Sequence, residues 1–196
     1  MKLPRSFYTR SDVVLIAKEL LGKYLFTNFD GIFTGGIITE TEAYNGVVDR
    51  ASHAFGGRRT ARTETMYGEG GTAYVYLCYG IHSLFNVVTN KKNNPHAVLI
   101  RAIHPTHGIE HMLRRRKMSM LKKNLSAGPG TVSEALGIHY SHSGLSLLGN
   151  KIWIEDNGII LKKKEIIVSK RIGVDYAGED AQLPYRFVID PSALDR

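Results

Sequence analysis

The spacing of apolar positions changes along the chain, first following a helical period and then, for most of its length, the alternation of half-buried strands. Val13, Val14, Ala17, Leu20 and Leu21 form a helical stripe, with Ser11 as N-cap followed by Asp12 and Gly22 as the stop. Tyr24 to Phe29, the turn pair Asp30-Gly31 and Ile32 to Ala43 read as a hairpin. From Asn45 to Gly71 the pattern turns polar and glycine-rich and carries Arg50, Arg58, Arg59 and Arg62, which suits a long functional loop better than a linker. Strand-like runs resume at Thr72 to Tyr79, closed by Gly80, and at Ala97 to Ile103, ahead of a basic helix from about His107. Asp156-Asn157-Gly158 is expected to close a second hairpin between Ile152-Trp153-Ile154 and Ile159 to Leu161, and Ile166 to Val174 with Arg186 to Ile189 completes the sheet. With no internal repeat and no composition break, the pattern predicts one α+β domain over residues 1–196 with mostly antiparallel strands.

Charge narrows the partner. Twenty-six Lys and Arg against eighteen Asp and Glu leave a net +8, and the pI of 9.6 is the footprint of a protein that meets a polyanion, nucleic acid ahead of an anionic membrane. No run approaches the roughly 18 apolar residues of a spanning helix, and Met1 to Ser6 lacks the apolar core of a signal peptide, so an intracellular protein is expected. The single cysteine, Cys78, sits in an apolar run and reads as a small buried thiol rather than a nucleophile.

Candidate chemistry begins at Ile37 to Tyr44. On a strand, side chains alternate with a rise of roughly 3.4 Å per residue, so Glu40, Glu42 and Tyr44 share one face while Thr39, Thr41 and Ala43 share the other. Same-face carboxylates about 7 Å apart suit water-mediated glycosidic hydrolysis; equally, they suit the solvated face of a half-exposed strand. In Tyr74 to Gly80 the tyrosines divide by parity, Tyr74 and Tyr76 facing one way and Tyr79 leaving the strand end. An aromatic facing the carboxylates could wall a slot for a flat ligand, and one beside a glycine could project as a wedge; tyrosines also simply favour strands.

Arg58, Arg59 and Arg62, beside Gly56 and Gly57, could clamp phosphates or be ordinary solvated arginines. The block Arg114 to Lys117, with Lys122 and Lys123, reads as a solvated helix face that steers rather than reads. His104, His107 and His111 have helix-face spacing, but Pro105 interrupts it and no companion ligand motif is present, so exposed histidines and no metal are expected. The absence of a G-x-G-x-x-G or Walker loop argues against a nucleotide cofactor.

An ordered set of motifs resembles the alkyladenine (3-methyladenine) DNA glycosylases, as a bacterial member. The set comprises Glu40-Thr41-Glu42-Ala43-Tyr44, His53, Gly56-Gly57-Arg58, Tyr74 to Gly80, Asn86 and Val98 to Ala102. It continues through Gly128-Pro129, Arg171-Ile172-Gly173-Val174, Ala177-Gly178 and Arg186-Phe187, and so covers most of the chain. The resemblance implies a curved, mostly antiparallel sheet with flanking helices, and an enzyme that flips alkylated or deaminated purines out of duplex DNA. The substrates implied are of the 3-methyladenine, 7-methylguanine, hypoxanthine and ethenoadenine class, and hydrolysis of the N-glycosidic bond starts base excision repair. By that likeness Glu42 activates the water, with Arg101 and the Val174 carbonyl placing it, and Tyr44 and His53 face Tyr76 across the flipped base. Asn86 excludes ordinary guanine through its 2-amino group, Tyr79 fills the vacated stack, and Arg58, Arg59 and Arg62 contact phosphates.

Because water is the nucleophile, no metal and no organic cofactor is expected. The partner implied is double-stranded DNA containing damaged purines, met by a monomer in the cytoplasm at the nucleoid, with no membrane involved. Thr131 stands where the family often carries a lysine, and Asp175 follows Val174 where some members have a small residue. Two other classes stay open on the residues: a damaged-DNA binding module without catalysis, and a hydrolase of free nucleosides, which would need neither the +8 charge nor an exposed Tyr79.

Overall fold

A computed structural model describes residues 1–193. The chain begins with a single turn, α1 (Arg5–Tyr8), and then α2 (Val13–Leu20), whose N-cap is Asp12 rather than Ser11 because the Asp12 carboxylate accepts the Leu15 N–H. Such a cap is worth about 1 kcal/mol. The hairpin of β1 (Tyr24–Phe29) and β2 (Ile32–Tyr44) follows as expected.

Beyond the long 45–71 segment come β3 (Ala73–Cys78), β4 (His82–Thr89), β5 (His96–His107), α3 (Ile109–Arg115) and α4 (Pro129–Leu136). The last strands are β6 (Ile152–Glu155), β7 (Ile166–Ser169) and β8 (Arg186–Ile189). All eight join one antiparallel sheet in the order β3-β4-β5-β2-β1-β6, an α+β fold. At β2 the sheet divides: on the edge away from β5, Ile32 to Ile37 pair with β1 while Glu40 to Glu42 pair with β8, which in turn carries β7. β2 and β5 approach so closely at Gly36 that a Cβ there would lie 2.4 Å from the His104 carbonyl oxygen.

Three expectations fail, and two elements arise where none was expected. The second hairpin does not form: β6 pairs with β1 on one side, and on the other the N-terminal residues take its edge through the Lys2–Glu155 bridge and a bond from Leu3 N to the Ile154 carbonyl, 2.9 Å. Asp156 is instead held by Lys23 at 2.8 Å, and Ile159 packs against Gly22. The strand expected to stop at Ile103 runs on to His107, so the basic helix starts at Ile109. The strand from Ile166 stops at Ser169, and Val174 caps a 3-10 segment, Asp175–Gln182. Strand β4 and helix α4 had no counterpart in the sequence reading.

One face of the sheet packs on the helices: Ile16, Ala17, Leu20, Ile38, Ala43, Phe85, Val98, Ile100, Val132 and Leu136 belong to one buried cluster. The Thr41 hydroxyl, on this face, donates to the Ala17 carbonyl at 2.8 Å and ties α2 to β2. Smaller clusters form on the other side, one joining Ala54, Met66, Tyr67, Tyr74 and Ala97, the other Ala51, Val174, Ala177 and Ala181. They anchor the 45–71 loop and the 171–182 segment over the sheet. Among the described residues no helix is long and apolar enough to cross a membrane.

Candidate active site

Two single-residue bulges, set back to back, create the site. Ile38 pairs with Ile103 and Thr41 with Ile100, but between them Glu40 pairs with Ala102, leaving Thr39 extra on β2 and Arg101 extra on β5. A regular strand carrying Ile38 into the core would carry Glu40 and Glu42 there too. The paired bulges keep Ile38, Ile103 and Ile100 in the apolar cluster while Glu40, Glu42 and Arg101 emerge together on the opposite face. The carboxylates therefore share a face as parity predicts, but not the solvated one, since Glu42 is fully buried.

Glu42 Oε1 accepts the Ile172 N–H at 2.8 Å; Oε2 accepts the Tyr44 hydroxyl at 2.9 Å and Arg101 Nη1 at 3.3 Å. Burial raises its carboxyl above the usual range against the opposing pull of Arg101 and of the two hydrogen bonds, with the Glu40 charge adding a small push upward. Tyr44 is driven well above an ordinary phenol by burial and then by the Glu42 charge, so it remains the donor in their bond. Glu40 meets two guanidinium groups, Arg101 Nε at 2.8 Å and Arg186 Nε at 2.7 Å.

Beside this cluster lies a cavity of about 190 Å³ lined by Tyr44, His53, Tyr76, Asn86, Arg101 and Val174, among others. Glu42 itself adds no surface to it, lying one layer behind Tyr44, Arg101 and Ile172. His53 and Tyr76 adjoin edge to face, ring centres 4.6 Å apart, rather than standing on opposite walls, and His53 Nδ1 is 2.9 Å from the Tyr74 hydroxyl. Burial, with Arg62 and Arg58 nearby, lowers the His53 pKa to about 4, leaving a neutral ring at neutral pH. Asn86 is buried on β4, its amide nitrogen donating to the Tyr74 and Leu84 carbonyls at 3.2 Å each. The Val174 carbonyl accepts the Ala177 N–H at 2.9 Å. Cys78, expected to be buried, is only half-buried and lines the same cavity, because β3 ends there.

Tyr79 leaves the strand at the tip of the β3–β4 hairpin, 93% exposed, with a positive φ of 50°. That backbone region is costly for a bulky residue, and such strain is found where a side chain is held out for use. Arg58, Arg59 and Arg62 cluster on the exposed loop nearby. Arg62 lies over the Tyr76 ring at 5.0 Å, whereas Arg59 gives Nε and Nη2 to the two oxygens of Glu64, at 2.8 and 2.6 Å, and Nη1 to Asn93 Oδ1 at 3.2 Å.

Of the three histidines with helix-face spacing, His104 and His107 lie exposed on β5 and His111 on α3, so they share no helix face. Among the described residues no group of three or more His, Cys, Asp or Glu could hold an ion. Thr131 turns back to the Gly128 carbonyl at 2.8 Å.

Sequence reasoning assigned no role to the residues that close the site. Arg171 and Asp49 form a fully buried pair, Nη2 to Oδ1 at 2.9 Å, joining the 45–71 loop to the 171–182 segment. Arg171 also donates to the Ala43 carbonyl at 2.9 Å and stacks over the Tyr44 ring at 4.9 Å. Tyr176, which lines the cavity, donates to the Ala51 carbonyl at 3.1 Å. A lone Asp and a lone Arg 122 positions apart carry no local sequence signal of pairing.

Residues 6–193 match the family model described as methylpurine-DNA glycosylase. A protein of Chlamydia felis, provisionally named a 3-methyladenine DNA glycosylase, is 48% identical over 189 residues, 96% of each chain. Proteins given the same provisional name in Clostridium perfringens strain 13 and Bacillus cytotoxicus are 46% identical over 197 residues and 45% identical over 195. These cover 96% of each chain and 95% of each chain respectively.

Proposed function

Because the chain belongs to the methylpurine-DNA glycosylase family and is a DNA N-glycosylase, we propose that it hydrolyses N-glycosidic bonds of damaged purines in duplex DNA with Glu42 as the general base. The observation that carries this reading is the fully buried Glu42 carboxylate, held at both oxygens beside an aromatic-lined cavity and next to a tyrosine projected on strained backbone. An ordinary structural carboxylate has no need of that setting, since carboxylates are rarely buried without a partner or a task.

In the proposed reaction a purine turned out of the stack enters the cavity between Tyr44 and the Tyr76–His53 pair. A cationic N-alkylated base gains about 0.5–2 kcal/mol from the aromatic faces over a neutral one. Water oxygen bonds to deoxyribose C1′ as the bond from C1′ to the base nitrogen breaks. Its electron pair neutralises the cationic purine, and Glu42 takes the water proton while its charge stabilises the oxocarbenium-like sugar. Burial that raises the Glu42 pKa makes it a stronger base than a surface carboxylate. Since Glu42 has no exposed surface, the water reaches it from the cavity as the 172–174 segment adjusts around substrate, with Arg101 and the Val174 carbonyl on either side; catalytic contacts commonly tighten only in the substrate complex.

Asn86 would bar the 2-amino group of guanine, Tyr79 would occupy the gap left in the duplex, and Arg58, Arg59 and Arg62 would hold the backbone. The substrate class would be 3-methyladenine and 7-methylguanine, which leave as neutral bases, and hypoxanthine and ethenoadenine, which need a proton on the base as the bond breaks, all handled by one domain acting as a monomer. The test is Glu42→Gln in single-turnover excision from alkylated or hypoxanthine-containing duplex: free base is no longer released while damaged duplex is still bound. Near-native release by that variant would sink the assignment, and release of no base by the unaltered protein would favour a damaged-DNA binding module instead.

A further inference from the structure

Glu40 sits against the proposed base yet takes no part in the chemistry described for it. We propose that Glu40 is a positioning residue that holds the Arg101 guanidinium by its Nε edge and so keeps it from closing over Glu42, a role that rests on reading Glu42 as the base.

The geometry is specific. The Glu40 oxygen Oε1 takes Arg101 Nε at 2.8 Å, and the remaining edge of the guanidinium reaches Glu42 with Nη1 alone, at the longer distance of 3.3 Å. Left to itself, an arginine beside a buried carboxylate forms a two-pronged, fork-to-fork pair, the strongest arrangement open to it. Such a pair would occupy both base oxygens and depress their basicity. Glu40 competes for the same guanidinium and prevents that.

Backbone and neighbours are built around the capture. The paired bulges place Glu40 and Arg101 on the same side of the sheet, and the Arg101 carbonyl, turned out of the β2–β5 ladder, accepts the Gly128 N–H at 2.9 Å. Arg186 anchors the other side of Glu40 Oε1 at 2.7 Å and is itself steadied by the Ser169 hydroxyl at 3.1 Å. The four charges Glu40, Glu42, Arg101 and Arg186 sum to zero. Glu40 also borders a groove lined by His104, Lys122 and Lys123, while Glu42 is faced by Tyr44, Arg101, the Ile172 N–H, and Tyr176 and Arg171 beyond them.

The test is single-turnover excision of 7-methylguanine, a cationic lesion, from duplex across a pH series, with duplex affinity measured alongside. The variants are Glu40→Gln, Glu40→Asp and Arg186→Met. Glu40→Gln is expected to lower the plateau rate about 10- to 100-fold, as sub-ångström to ångström misplacement of a catalytic group does, with duplex affinity unchanged. Its acid limb moves to lower pH, because the small upward push of the Glu40 charge on the Glu42 carboxyl is gone and Arg101, no longer held by a charged partner, is freer to pair with it. Glu40→Asp keeps that charge, so its acid limb stays near the native position while its rate falls; it also preserves a readout should the glutamine variant not fold.

Arg186→Met removes the anchor on the far side of Glu40 but leaves Arg101 its own bond to that carboxylate, so its rate is expected to fall less than that of Glu40→Gln. A native rate and pH profile for Glu40→Gln would overturn the proposal. So would an Arg186→Met loss equal to that of Glu40→Gln with no shift of the acid limb, which would make Glu40 a tether for β8. Native excision by Glu42→Gln would instead overturn the base assignment, an outcome read without any Glu40 variant.

Discussion

Tyr44 donates its phenolic hydrogen to Glu42 Oε2 at 2.9 Å from two positions along the same strand. Strand alternation brings both side chains to one face, and burial keeps the phenol protonated. A hydrogen bond to the charged carboxylate lowers its pKa, so Tyr44→Phe should raise the Glu42 pKa further. The acid limb of excision of a cationic lesion is then expected to move to higher pH in Tyr44→Phe, with the rate above that limb within about tenfold of native, because the ring that the proposed reaction sets against the base remains. A limb that stays put or moves down would mean that Tyr44 does not act on the base.

Alternation alone placed Glu40, Glu42 and Tyr44 on one face and Tyr74 with Tyr76, because those signals lie within six or seven consecutive residues. The bulges were not legible: their cause is the need to bury Ile38 and Ile103 in the core while carrying Glu40 and Arg101 to the other face, a demand that exists only once β2 and β5 are paired. Strand β4 was legible in hindsight, since Leu84, Phe85, Val87 and Val88 are strand formers and only the polar Asn86 among them hid it. Helix α4 also announced itself, with Pro129 at its start and Gly137 at its left-handed stop. The failed second hairpin had the right turn residues, Asp156-Asn157-Gly158, but the N-terminal segment had taken the edge of β6.

The Asp49–Arg171 pair is expected to hold the site together rather than to react. Both side chains are buried, so removing one leaves an uncompensated charge, which costs about 3–5 kcal/mol. Asp49→Ala should therefore lower Tm by roughly 6–20 °C for a chain of this size, while replacing both residues with apolar ones of similar volume should recover much of the loss. Thermal melts of the two single variants and the double variant check this. A loss under about 1 kcal/mol in Asp49→Ala would show the pair to be dispensable.

His53 gives the fold a pH dependence with a definite sign. Its pKa falls from 6.5 to about 4 on folding, so between those values the unfolded chain binds more protons than the folded one. The contribution to stability is complete above pH 6.5 and is lost as pH falls toward 4, on the order of 2–3 kcal/mol. In urea melts at pH 7 and at about pH 4.5, His53→Gln should lose less stability than the native chain. Equal losses would mean that His53 does not titrate in that window.

Arg62 and Arg59 sit three residues apart on one loop yet should contribute differently to duplex binding. Arg62 is exposed, stacked over Tyr76 at 5.0 Å and without a carboxylate partner among the ion pairs of the described residues. Arg59 is held by both oxygens of Glu64. A guanidinium already neutralised by a carboxylate displaces fewer counterions from DNA than a free one. Since each phosphate contact contributes about 0.9 to the slope of log K against log salt, Arg62→Ala should reduce the magnitude of that slope by about 0.9 and Arg59→Ala by clearly less. Affinities for one damaged duplex measured across a salt series decide it, and equal slope changes in the two variants would contradict the distinction.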